Sequence, residues 1–335
     1  MSTEAAKNKR PTSRIKEIGK QFLRNENAVL IVVLIALVAG LGIMTKGLTT
    51  SRKNIANVLL QSSIRGIASV GEAFVILSAG IDVSIGGIGL FSALLGAGMM
   101  TTGTEGMTGN PVSMYIALPA MALAGLGWGA VNGLLVSRIG MPSLIVTLGM
   151  WEITKGVAFQ MSGGFSIGQQ PPELAFFGQE AIYGVPVPVI IFIVVAIVAY
   201  FVLAHTPFGR QVYAAGGNPL SAWLSGIRVR EIQFAVFVIA GFLAGIGGIV
   251  HTARVMSASM RSLGGLELDS IAAVCVGGVS LMGGRGTLIG VVIGALIIGV
   301  INNGMSLLGA GPAMQGIVKG VIIIAAVAID YIRRR

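Results

Sequence analysis

Ser62, Arg65, Ser69 and Glu72 lie in one largely apolar stretch at i, i+3, i+7 and i+10, the repeat of a single helical face. In hydrocarbon an Arg and a Glu pointing at lipid are costly. The stripe is therefore expected to face the protein interior, where polar side chains line solute or ion paths. Glu152 and Lys155 stand three apart in a second apolar stretch and can partly neutralise each other. Glu267 and Asp269 open a third. Two readings stay open for them: complementing the dipole of a short helix, or lining a polar substrate path. Asn132 and Asn303, each followed by glycine, and Lys319 are the other polar groups embedded in apolar runs.

The inventory is short for catalysis. No G-x-x-x-x-G-K-[ST] phosphate loop occurs, so the chain carries no such nucleotide site of its own. His205 and His251 are the only histidines, and no Cys/His group has metal-ligand spacing. Cys275 is the single cysteine, which excludes an intrachain disulfide. Its apolar setting suits a packed residue better than a reactive thiol. No catalytic residue, metal or cofactor is expected in this chain.

The elements that must position the polar groups follow from composition. A mean hydropathy of +0.86 excludes an ordinary soluble domain. The 335 residues accommodate about ten membrane spans. These are read at 28–44, 55–79, 82–100, 112–136, 142–161, 187–204, 232–252, 270–282, 287–308 and 313–332. Asp82 is expected to cap the third, and 270–282 is short enough to be re-entrant. The net charge of +10 resembles that of a nucleic-acid binder, but much of it sits in the first 24 residues and in Arg333–Arg335. That placement is a positive-inside signature, with both termini cytoplasmic and the lipid bilayer as the solvent. Lys46, Arg52, Lys53, Arg254 and Arg261 fall outside, against the rule. Residues 1–27 form a basic tail, read either as a short amphipathic helix on the membrane surface, with Ile15, Ile18 and Phe22 on one face, or as an unstructured segment. Residues 28–335 form the membrane domain.

Residues 205–230 are the longest internal polar segment. Tyr213 to Pro219 is expected to interrupt regular structure, with Gly216 and Gly217 allowing a tight entry, Asn218 as N-cap and Pro219 in the first turn. Leu220 to Gly226, including Ser225, is then long enough for a two-turn helix. It is read as a surface helix joining two embedded halves, or as an ordinary inner loop. Asn132-Gly133 with Gly140 and Pro142 is echoed by Asn303-Gly304 with Gly311 and Pro312. If the echo is not chance, spans two to five and seven to ten are inverted repeats, a transporter architecture.

Several segments together resemble a known family. These are GIDVSIG at 80–86, AGGNP at 215–219 with SGI at 225–227, and ELDSIAA at 267–273 with GGVSLMGG at 277–284. They look like the ribose/galactose/xylose-type permease subunits of bacterial ATP-binding-cassette (ABC) importers. The likeness runs from about Asn54 to Asp330, and its most specific block continues through GTLIG at 286–290.

The resemblance implies an all-α multi-pass protein of the bacterial inner membrane that imports a monosaccharide or related polyol. It implies a separate ATPase subunit holding ATP and Mg, a soluble sugar-binding protein outside, and a second permease copy or paralogue. It also implies roles: Gly216, Gly217, Asn218 and Pro219 shape the entry to a coupling helix whose body runs from Leu220 to Ser225 and Gly226. Arg52, Lys53, Arg254 and Arg261 would receive the binding protein, or else contact headgroups. Nucleoside and branched-chain amino acid permeases are sister readings. An ion-coupled secondary transporter would need buried acids, for which only Glu72 and Glu152 qualify. A passive membrane scaffold has no use for Arg65 and Glu72 in the bilayer.

Overall fold

The computed structural model describes residues 26–103, 107 and 110–333. The amphipathic face expected at residues 15–22 lies outside them. Twelve α-helices account for nearly all of the order: α1 (Glu26–Met44), α2 (Arg52–Leu77), α3 (Ile85–Met100), α4 (Met114–Leu134), α5 (Ser143–Ser162), α6 (Val187–His205), α7 (Pro207–Gly217), α8 (Pro219–Leu224), α9 (Val229–Val255), α10 (Leu266–Val276), α11 (Leu288–Leu307) and α12 (Pro312–Arg333). The only paired strands among the described residues are the two-residue hairpin Ala181–Ile182 and Val185–Pro186.

Ten of these helices occupy the ten expected spans. Six are long and apolar enough to cross a membrane by themselves. The others are α2 and α5, which carry polar groups, and the short α3 and α10. The eighth expected span, 270–282, is in fact α10, which begins four residues earlier and ends at Val276. Beyond it, Gly278, Gly283, Gly284 and Gly286 take positive φ and fold the chain into a compact loop. Eleven residues reach only about half the hydrocarbon thickness.

The repeat is visible in the packing. Exchange α2 with α9, α3 with α10, α4 with α11 and α5 with α12. The contact between α3 and α5 becomes that between α10 and α12, α3 with α4 becomes α10 with α11, and α9 with α4 becomes α2 with α11. The central contact, α2 against α9, maps onto itself. The pattern matches a repeat of spans two to five in spans seven to ten.

Helices α4 and α9 approach backbone to backbone, and glycine makes it possible. Atoms added at Gly125 and Gly129 would collide with the backbone of α9 at Gly241 and Phe237. In lipid, where water gives no drive between helices, such backbone proximity supplies the packing energy. Gly290 and Gly294 do the same for α11 against Gly277 and Ala273. Gly241→Val is expected to separate α4 from α9 and cost about 3 kcal/mol. A fall in melting temperature and loss of the monodisperse species in detergent are the measurements.

Candidate functional site

Helix α2 is the polar axis of the molecule. Ser51 caps its start by accepting the Asn54 N–H. Ser62, Ser69 and Glu72 are fully buried, so the polar stripe does face inward.

In the outer half of the molecule, Asp269 in the first turn of α10 gathers three elements. Arg65 Nε donates to its Oδ2 at 2.7 Å, Lys319 Nζ of α12 lies 2.7 Å from its Oδ1, and Asn302 Nδ2 of α11 donates to Oδ2 at 3.3 Å. Asp269 is thus an ion-pair centre, which goes beyond a dipole role. Arg65 also borders a cavity of about 190 Å³ with Gln61, His251, Arg254, Arg261 and Leu263. Two of the five outer basic residues, Arg254 and Arg261, therefore face the same space as the interior stripe. Arg52 and Lys53 sit exposed on the first turn of α2 and are not among the residues bordering that cavity.

The inner half holds acids. Glu72 Oε1 accepts the Asp82 N–H at 3.1 Å, Asp82 Oδ1 accepts the Ser84 N–H at 2.9 Å, and Asn132 Nδ2 donates to Ser84 Oγ at 2.7 Å. Ser84, not Asp82, is the N-cap residue of α3; Asp82 instead holds the Ser84 backbone and hydroxyl. Both carboxyl groups are fully buried, and among the described residues no cation lies within ion-pair distance of either. The neutralisation expected between Glu152 and Lys155 is missing as well. Glu152 is exposed and makes no ion pair with Lys155, whose Nζ sits 4.4 Å from the centre of the Trp151 ring. A cation over an indole face gains without a carboxylate.

The two polar clusters meet where α3 and α10 begin. Glu267 lies against Gly86 in the first turn of α3, and any side chain at Gly86 would displace it. Asn303 sits apart, bonded reciprocally to Asn54 at 2.8 and 3.0 Å. That pair joins the start of α2 to the last turns of α11.

Three of the segments singled out in the sequence converge at the inner end of α2. The expected break at Tyr213–Pro219 is not there. Helix α7 continues through Gly217, and the chain turns only at Asn218. Asn218 Oδ1 accepts the Ser221 N–H at 3.0 Å and Pro219 opens α8, as the sequence suggested. Gly216 and Gly217 serve contact, not conformational freedom. A Cβ on Gly216 would strike Leu77 O, and one on Gly284 would strike Gly217. Gly284 N–H donates to Leu77 O at 2.9 Å, and Tyr213 Oη donates to Gly286 O at 3.0 Å. Burial raises the Tyr213 pKa, which keeps that hydroxyl a donor. Nothing in the order of residues announces that 77–80, 213–217 and 283–286 touch. Helix α8 projects beyond this junction with Leu220, Trp223 and Leu224 exposed at 66%, 64% and 72%. Ser225 closes the helix, and Gly226 turns with positive φ toward α9.

Comparison with known proteins agrees with this architecture. Residues 54–327 match the family described as branched-chain amino acid transport system / permease component. The chain is 35% identical to a ribose import permease protein of Haemophilus influenzae, covering 86% of each. It is 37% identical to a D-allose transport system permease protein of Escherichia coli, covering 89% of each. A ribose import permease protein of Bacillus subtilis is 39% identical over 75% of this chain and 76% of its own. No solved structure matches. The chain belongs to this permease family, as a multi-pass membrane protein.

The Asn54–Asn303 pair yields a test of the interior polar contacts. Asn54→Ala or Asn303→Ala alone strands the partner amide and should cost about 2 kcal/mol. The double substitution should cost less than the sum of the two, read as a thermal-shift cycle in detergent.

Proposed function

We propose that this member of the permease family is the pathway subunit of an ATP-driven importer for a monosaccharide of the ribose or hexose type, working with a second permease copy or paralogue. The exposed Leu220, Trp223 and Leu224 on α8 carry the reading. Three large apolar groups at i, i+3 and i+4 on a helix outside the membrane spans form an anchor for a groove on another protein. The absence of a phosphate loop in this chain gives that partner its role: it holds ATP and Mg and does the hydrolysis. The names of the relatives support a sugar as cargo.

The geometry offers a mechanical route. ATP binding favours one arrangement of the partner, and only a difference in affinity between arrangements can drive a change. Movement of α8 passes to α7. Because Gly216 abuts Leu77 and Gly284 abuts Gly217, α7 cannot move without pressing on the end of α2 and on the loop after α10. The helices that these segments follow or end, α2 and α10, carry Arg65 and Asp269. The lever thus reaches the outer cavity through backbone contacts, with no soft side chain between. At the outer face, Arg254 and Arg261 are suited to receive a soluble sugar-binding protein by charge complementarity, with Arg52 and Lys53 as a second, exposed pair.

Trp223→Asp should leave membrane insertion intact but abolish co-purification of the ATPase subunit and ATP-dependent sugar uptake into vesicles. Normal uptake by this variant removes α8 from the coupling role. Gly216→Val should retain the ATPase subunit yet lose uptake, because the lever is wedged away from α2. Uptake driven by an ion gradient with no ATPase present defeats the import reading altogether.

A further inference from the structure

We propose that the outer cavity is a charge latch. A carboxylate entering from outside takes the Arg65 guanidinium away from Asp269, while Lys319 keeps Asp269 neutralised during the exchange. The inference rests on the importer reading only in naming the source of the carboxylate: an acidic side chain of the soluble protein that delivers the sugar.

Three observations carry it. First, the cluster is short of anions. Arg254 and Arg261 border the cavity, and among the described residues neither has a carboxylate within ion-pair distance. Second, the Arg65–Asp269 pair is lopsided: the Arg65 side chain is 23% exposed at the cavity and Asp269 only 4%. Both residues border the cavity, and the cation offers far more of its surface to an incoming anion than the carboxylate does. Third, Asp269 has two cations. Breaking a buried pair is costly because a charge is left uncompensated. Here Lys319 remains 2.7 Å from Oδ1 when Arg65 leaves Oδ2, and Asn302 still donates to Oδ2. The exchange therefore strands no charge. It also loosens α2 from α10; the end of α2 and the loop that follows α10 meet at the coupling junction, so docking outside and the lever inside act on connected elements.

The test uses thiol reagents of opposite charge, added from the outer side, and needs no partner protein. In a Cys275→Ala background, Gln61→Cys places a thiol on the cavity wall one helical turn from Arg65. In phosphatidylcholine vesicles, a sulfonate-bearing methanethiosulfonate should label it about ten-fold faster than a trimethylammonium-bearing one. Asp269→Asn frees Arg65 and should raise the anionic rate several-fold. Lys319→Gln leaves Asp269 to Arg65 alone and should lower it. A purely structural role moves both variants in one direction. Tyr183→Cys, fully exposed on the hairpin at 181–186 and away from the cavity, labelled at the parental rate, certifies that each variant keeps its fold. Equal rates for the two reagents, or variants that shift together, overturn the latch. If phosphatidylglycerol vesicles erase the anionic preference, the cavity belongs to a lipid headgroup and the docking source is overturned. These rates do not depend on ATP, so failure of the importer reading shows separately, as uptake that needs no ATPase.

Discussion

Polar groups within the bilayer core have no water to fall back on, and the arrangement of this protein follows from where they find partners. Asp269 is the clearest instance. One carboxylate ties α2, α11 and α12 to α10 through Arg65, Asn302 and Lys319. The final helix depends on it most: none of its apolar window is buried, and it packs chiefly on α10. Remove the carboxylate and two cations lose their compensation in a low-dielectric setting.

The second organising feature is backbone contact through glycine. At the α4–α9 and α10–α11 crossings it supplies close packing in a solvent that gives helices no reason to associate. At the junction of Leu77, Gly216 and Gly284 the same chemistry serves a different end. Backbone is pressed on backbone there, and interiors at crystal-like density deform little. Through α7, helix α8 is thereby joined to the helix that holds both Arg65 and Glu72.

The repeat gives these features a common plan. Helices α3 and α10 are the short members of their halves, and each begins beside an asparagine from the helix that follows it: Asn132 at Ser84, and Asn302 at Asp269. The two halves share this layout but differ in charge. The outer cluster has cations in excess, while the inner one holds Glu72 and Asp82 with no cation among the described residues.

Much of this was legible in one dimension. Hydropathy located the spans, because a helix of about 20 apolar residues is what a bilayer demands. The 3.6-residue period placed Ser62, Arg65, Ser69 and Glu72 on one buried face, and Asn218-Pro219 announced the start of α8. Pairings between distant residues were not legible. That Asp269 would hold Lys319, that Glu152 would ignore Lys155, and that α7 would run through two glycines into contact with Leu77 all depend on how helices far apart in the chain lie together. Periodicity reports which way a side chain faces along its own helix. What it meets there is decided by the crossing of another helix, and only the folded arrangement contains that information.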